Sequence, residues 1–383
     1  MRVCFVVWRY PSFSKSDHAG GAEKQLQRLT TELNKRGHET TIISGKKGRN
    51  PLLEKPDENI SVFRIPTTSL PGISMILYMI ILPIIIVRLH FRERFDVIHI
   101  PLPDLFIISL YFTSRLLGIP VIARIAADEL DQSYSQGLWA TVRELIKSVI
   151  LKVEGIQTLN PMAYNDALLL GKTREQVFLV PNGVNIPDKQ KDYTKMSNKV
   201  LYIGAMRHYP NKLKLEQKNL KYLIDAFEEL VNIRRNLTLV MVGDGNYRKL
   251  LEEYVRTKKL TSKVVFTGYQ SDVQRFLYDA DLVVNPSHFE GMPNVVIESM
   301  ATGVCVVCSD IPEHRYLIGE NEFGQLVDKS DPGSLVDAIT KFYQTPSQFI
   351  KRAKNARSKV QNQFSISLMT QRILAMYQVV INL

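Results

Sequence analysis

The chain has 383 residues, enough for two domains at roughly 150 residues each. Hydrophobic residues make up 45% and charged residues 23%, a globular balance that argues against a disordered chain. The net charge of +11 favours phosphorylated ligands or anionic lipid over nucleic acid, because no nucleic-acid module accompanies it, and three cysteines argue against a disulfide scaffold.

In chain order, short apolar runs at 3–7, 40–43, 97–100, 121–125 and 177–180 read as buried strands. Helical patterns such as 22–36 and 104–117 separate them. The first run is too short for the apolar region of a signal peptide, so the expected location is cytoplasmic. Gly20 and Gly21 precede the first helix, either as a tight turn or as backbone lining a ligand. Between 65 and 87 there is no charged residue. Such a stretch is long enough to span a membrane, but Pro71, Gly72 and Pro83 interrupt it, and a span would cut the first domain in half. A helix in the membrane interface, flanked by Arg88, Arg92 and Arg94, and an ordinary buried helix remain open beside it. Peripheral contact through 65–94, on the inner face of the membrane, is therefore one expectation.

The first domain is expected over 1–187. Pro181-Asn-Gly-Val reads as a turn and the polar stretch 188–199 as a linker. The strand and helix rhythm restarts at 200–203 and continues at 238–242, 264–266, 282–284 and 304–307, giving a second domain over 197–362. This alternation predicts an α/β protein with parallel sheets and crossover helices in two Rossmann-like domains. Ligands of such sheets bind beyond the carboxyl ends of the strands, so two facing sheets would make an interdomain cleft. The last helix, in 363–383, has apolar residues at helical spacing, among them Leu368, Ile373, Tyr377 and Val380.

The richest stretch runs from 281 to 309. A strand ends at Asn285-Pro-Ser-His-Phe and is followed by Glu290-Gly-Met-Pro-Asn-Val-Val-Ile-Glu298. Pro293 suits the first helical position and Gly303 the cap that ends the helix. Glu290 then lies just before the helix, and Glu298 lies inside it among Val295, Val296, Ile297 and Met300. A carboxylate in such apolar company is exposed, paired or ligand-bound. Free N–H groups at the helix start form an anion site, so the pair suggests a sugar phosphate. The plain alternative is a capping Glu290 and a solvated Glu298. After the strand at 200–203 the chain carries Arg207 and Lys218, with Lys212 and Lys214 between them as competitors for an anion there. His288 neighbours Glu290. His99 ends a strand, either facing the cleft or satisfied in the core.

Three signals point elsewhere and are set aside. Gly243-Asp-Gly245 is half of a dinucleotide fingerprint, but position 248 is Arg. Asp279-Ala-Asp281 looks like a metal-binding pair, yet it leads into a buried strand. Cys305 and Cys308 are three apart in a strand and face opposite sides, as small core residues do. No metal and no cofactor are expected.

The run Glu290-Gly-Met-Pro-Asn-Val-Val-Ile-Glu298 resembles the E-x7-E motif of the family 4 retaining glycosyltransferases, which have the GT-B fold. Gly20-Gly21-Ala-Glu, Gly37-His38-Glu, Asp96-Val-Ile-His99, Pro181-Asn-Gly-Val, Val242-Gly-Asp-Gly245 and Phe266-Thr-Gly-Tyr269 are similar to that family's words in the same order. The resemblance implies a hexosyltransferase taking a UDP- or GDP-linked sugar to a lipid-linked or polysaccharide acceptor, with no metal. It implies that Glu298 holds the ribose, and that Glu290 contacts the sugar beside the backbone of Gly291, Met292, Pro293 and Asn294. Gly268 and Tyr269 would lie by the base, Arg207 and Lys218 by the diphosphate, and Gly21 in the opposing loop. It further implies that the last helix crosses back to the first domain. One departure is plain: the family's histidine near Ala126 is missing, so Asp128 or Glu129 takes over a polar role there or the acceptor is handled differently. A non-catalytic nucleotide-sugar-binding protein and a nucleotide-sugar epimerase are the alternatives.

Overall fold

The computed structural model describes residues 1–12, 20–46, 50–68, 70–125, 138–208 and 216–383. Asp128, Glu129, Lys212 and Lys214 lie outside the described residues. The chain divides into two compact units, Met1–Gly183 with Ile366–Leu383, and Val184–Ser365.

Unit 1 is built on strands β1 (Arg2–Arg9), β2 (Glu39–Gly45), β3 (Leu53–Asp57), β4 (Ile60–Ile65), β5 (Val97–Ile100), β6 (Val121–Ile125), β7 (Gly155–Thr158) and β8 (Val177–Leu179). They form one sheet in the order β3-β4-β2-β1-β5-β6-β7-β8, parallel except for the β3–β4 hairpin at its edge. Alternation along β1 sends Val3, Phe5 and Val7 to one face and Cys4 and Val6 to the other. On the first face pack α1 (Gly21–Lys35) and the helix Ile366–Ile381, through Leu26, Leu29, Leu33, Ile373 and Tyr377. On the second pack α2 (Pro71–Glu93), α3 (Ile107–Leu117), α4 (Leu138–Ile150) and α5 (Pro161–Leu169). Helix α2 turns Tyr78, Leu82, Ile86 and Leu89 inward at spacings of three and four, and burial of each such side chain contributes about 1.5–3 kcal/mol. Pro83 lies within this helix without ending it.

Unit 2 holds β9 (Lys199–Ile203), β10 (Thr238–Val242), β11 (Val264–Gly268), β12 (Leu282–Asn285), β13 (Cys305–Ser309) and β14 (Gln325–Val327). Its sheet runs β11-β10-β9-β12-β13-β14 with every pair parallel. The helices between are α6 (Leu220–Ile233), α7 (Arg248–Thr257), α8 (Gln274–Asp279), α9 (Asn294–Thr302), α10 (Pro312–Ile318), α11 (Pro332–Gln344) and α12 (Pro346–Gln363); Ile366–Ile381 is α13. One core joins Tyr202, Met241 and Val307 to Leu223, Phe227, Ile339 and Phe342.

The polar stretch 188–199 is fastened to unit 2 and does not hang free as a linker. The Lys191 amide donates to the Thr302 carbonyl at 2.9 Å. Buried Asp281 accepts from the amides of Ser197 and Asn198 at 2.8 and 2.7 Å and from the Tyr343 hydroxyl at 3.1 Å. Asp281 is thus fully engaged as a strap anchor, and Asp279 pairs with Lys199 at 2.5 Å. Cys305 and Cys308 are buried and free, and burial pushes the Cys305 thiol up to about 12.

Candidate active site

β9 and β12 lie side by side, with Leu282 opposite Val200 and Val283 opposite Leu201. Their carboxyl ends therefore sit together, where ligands of an open α/β sheet bind. Strand β12 ends on Asn285, and the segment after it carries Ser287 and Glu290 into α9; the one before α6 carries Lys218. A backbone bond, from the His288 amide to the Gln217 carbonyl at 2.8 Å, clamps the two segments. It sets Lys218 beside Glu290, 72 residues away in sequence, with the ammonium 2.5 Å from the carboxylate.

Glu290 is only 7% exposed. One carboxylate oxygen accepts from Lys218, from the Ser287 hydroxyl at 2.7 Å and from the Asn285 amide at 3.5 Å. Burial raises the carboxyl's pKa, but the Lys218 charge and the Ser287 hydroxyl outweigh it, and the net direction is downward. Glu290 is therefore held as a carboxylate, an acceptor for hydroxyl groups. His314, on α10, is wholly buried close behind it. Its Nδ1 lies 2.8 Å from the Ser309 carbonyl, which places the proton there, and its Nε2 has no partner among the described residues. Burial lowers its pKa to about 4, against the pull of Glu290, so the ring is neutral.

Helix α9 starts at Asn294 with Pro293 as its cap residue, one position from the sequence expectation, and ends on Gly303 at φ 79°. The Arg357 guanidinium donates to the Ala301 carbonyl and, at 2.6 Å, to the Pro187 carbonyl, bracing the carboxyl end of α9. Gly291, Met292, Pro293 and Asn294 form the approach and first residue of that helix, and Glu298 is half-buried one turn further on.

Arg207 stands exposed at the carboxyl end of β9 and makes no ion pair among the described residues. Its loop is fixed by backbone bonds from Gly204 to Val242 at 3.0 Å and from Met206 to Asp244 at 3.0 Å. The crossing is so close that a Cβ on Gly243 or Gly245 would lie 1.9 or 2.0 Å from the carbonyl oxygens of Gly204 and Met206. That contact accounts for the half fingerprint. Gly268 ends β11 at φ 72°, followed by Tyr269, at the far side of the same strand-end row.

The structure thus brings Lys218 and Glu290 into contact and sets Arg207, Gly268, Tyr269 and the 291–294 approach to α9 at the carboxyl ends of one sheet's strands. Gly21 is the first residue of α1, in unit 1. His99 is a core residue: 1% exposed, with Nδ1 2.7 Å from the Tyr377 hydroxyl. His288 is half-buried, its backbone in the clamp and its imidazole pKa lowered by burial and then by Lys329. Sequence reasoning missed the roles of Ser287, Asn285 and His314. Short polar residues at a strand's end were a signal for the first two; nothing local pointed to His314.

The profile of Glycosyltransferase Family 4 matches residues 19–187, and that of Glycosyl transferases group 1 matches 197–345. The chain is 25% identical over 354 residues to the UDP-Gal:alpha-D-GlcNAc-diphosphoundecaprenol alpha-1,3-galactosyltransferase of Escherichia coli, covering 86% of this chain and 87% of that one. It is 32% identical over 123 residues, about a third of each chain, to a Campylobacter jejuni N-acetylgalactosamine-N,N'-diacetylbacillosaminyl-diphospho-undecaprenol 4-alpha-N-acetylgalactosaminyltransferase. Among solved structures, sucrose-phosphate synthase of Thermosynechococcus elongatus superposes with a TM-score of 0.78 at 18% identity. Anabaena HepE in complex with UDP-glucose superposes with 0.76 at 17% identity; each likeness covers 98% of both chains. With two parallel-sheet units and both profiles matched in order, the chain belongs to the family 4 glycosyltransferases of the GT-B fold.

Proposed function

We propose that the chain is a retaining hexosyltransferase that carries a sugar from a nucleotide-sugar donor, UDP- or GDP-linked, to a lipid-linked or polysaccharide acceptor without a metal ion. The Lys218–Glu290 pair just before α9, a buried carboxylate against a half-buried ammonium, carries this reading. A carboxylate kept ionised suits sugar hydroxyls, an adjacent ammonium suits a phosphate, and helix-start amides suit the same anion. Gly268–Tyr269 and the Glu290 loop are three strand spacings apart, roughly 14 Å at about 4.8 Å each, which suits an extended ligand with base and sugar at opposite ends.

In the reaction, the acceptor oxygen bonds to the sugar's anomeric carbon on the face the diphosphate leaves. The carbon–oxygen bond to the diphosphate breaks with its electron pair, and the acceptor's proton passes to the departing diphosphate. Lys218 and Arg207 neutralise the charge that develops there. Glu290 and the backbone of 291–294 position the sugar, Glu298 the ribose. Names of the relatives favour a diphosphate-lipid acceptor, hence a cytoplasmic enzyme working at the inner face of a membrane.

Magnetic resonance of the purified product, formed with EDTA present, tests this. The donor's anomeric configuration is expected in the new bond. An inverted linkage, a strict need for divalent metal, or isomerised donor formed without acceptor would each overturn it.

A further inference from the structure

We propose that the outer face of α2 and α3 is a docking surface that lays unit 1 flat on an anionic lipid bilayer, with no segment crossing it. The inference rests on the reading of a lipid-linked acceptor for its purpose, but on separate observations for its substance.

Residues Gly72–Glu93 are long and apolar enough to cross a membrane, yet one side of this helix belongs to the protein core. Tyr78, Leu82 and Ile86 are wholly buried, and the Tyr78 hydroxyl donates to the carbonyls of Val7 and Ile43 at 3.0 and 3.2 Å. Its ring meets Trp8 and Phe106 edge-on. Moving α2 into a bilayer would strip the sheet of this cover and leave those strand-end carbonyls without their donor.

The opposite side is a continuous apolar stripe. Ile73, Ile76, Ile80, Ile84, Val87 and Phe91 recur every three or four residues, and Ile84 and Phe91 are 63% and 68% exposed. The stripe is about 27 Å long at 1.5 Å per residue. Alongside, α3 exposes Phe112 and Leu116, four residues apart. A water-facing surface seldom gathers so much bulk aliphatic and aromatic material.

Charge selects the occupant. Arg88 and Arg92 are exposed on α2 at the end of the stripe, and Arg94 follows at once. The helix carries one acidic residue, Glu93, and its carboxylate accepts from the Thr41 hydroxyl at 2.9 Å. An apolar face with arginines at its margin, on a chain of net charge +11, matches an acyl surface beneath anionic headgroups.

The full chain should float with phosphatidylcholine vesicles containing phosphatidylglycerol at low salt and be released by alkaline carbonate. Vesicles of phosphatidylcholine alone should bind it about tenfold less well. Ile84→Asp, an exposed position, should weaken flotation at least tenfold, with the melting temperature and UDP binding unchanged; Arg88→Glu with Arg92→Glu should remove the preference for anionic lipid. Retention after carbonate would overturn the flat arrangement. Equal flotation of Ile84→Asp, no flotation of wild type, or a wild-type dimer that Ile84→Asp makes monomeric would overturn the docking surface. Sugar transfer to a soluble acceptor analogue is read separately, so flotation with no transfer sinks the proposed activity and leaves docking standing.

Discussion

Glu290 in unit 2 and His99 in unit 1 lie near carboxyl ends of their strands and are almost equally shut from water, yet one is charged and the other neutral. Glu290 faces Lys218, whose ammonium outweighs the cost of burial. His99 faces Arg124, a like charge that adds to that cost, and its pKa falls to about 3. Burial alone therefore does not decide ionisation; the sign of a neighbouring charge sets whether its cost is outweighed or reinforced. Where burial is opposed, unit 2 holds a charged centre. Where it is reinforced, unit 1 has a neutral pin: the His99–Tyr377 bond joins the sheet to α13.

Breaking the charged side of this comparison should cost most. Lys218→Met leaves Glu290 buried without its counter-charge and should destabilise unit 2 by about 3–5 kcal/mol in urea unfolding. Adding Glu290→Gln should restore part of that loss, because the orphaned charge goes too. On the neutral side, Tyr377→Phe leaves the His99 Nδ1 buried without a hydrogen-bond partner and should cost about 1–3 kcal/mol by the same measurement.

Acid sharpens the contrast. His99 has a folded pKa of about 3 against 6.5 for the free side chain. The unfolded state therefore binds the extra proton between these values. Stability from this group is full above pH 6.5 and lost on acidification toward pH 3, at up to about 1.4 kcal/mol per pH unit. His314 acts in the same sense between 6.5 and about 4. Glu290, with its folded value lowered, likewise loses its contribution as pH falls through that value. His99→Phe should flatten the acid limb of a plot of stability against pH. The smallest change is Ser287→Ala, which removes one hydroxyl donor to Glu290 and should cost about 1 kcal/mol.

The fold class was legible because its signals are local. Val3, Phe5 and Val7 alternate with Cys4 and Val6, and the apolar runs recur between helical patterns in both halves. The 285–298 segment was legible for the same reason: strand end, carboxylate, Pro293 and helix follow one another directly. The Lys218–Glu290 contact was not, because it depends on a backbone clamp between Gln217 and His288 that no spacing reveals. His314 reaches Glu290 only through the packing of the next strand and helix. The 65–87 stretch left three readings open since composition does not say which side of a helix meets the core. The structure answers with a helix buried on one side and bare on the other.

The most direct test of the central claim is calorimetric titration of UDP and GDP into the protein with EDTA present, repeated on Arg207→Ala. Arg207 is exposed, so the variant should melt like wild type while binding the nucleoside diphosphate at least about tenfold more weakly, roughly 1.4 kcal/mol. Binding that appears only with a divalent metal, or that is equal in the two proteins, would contradict a diphosphate site built from fixed cations at the strand ends of unit 2.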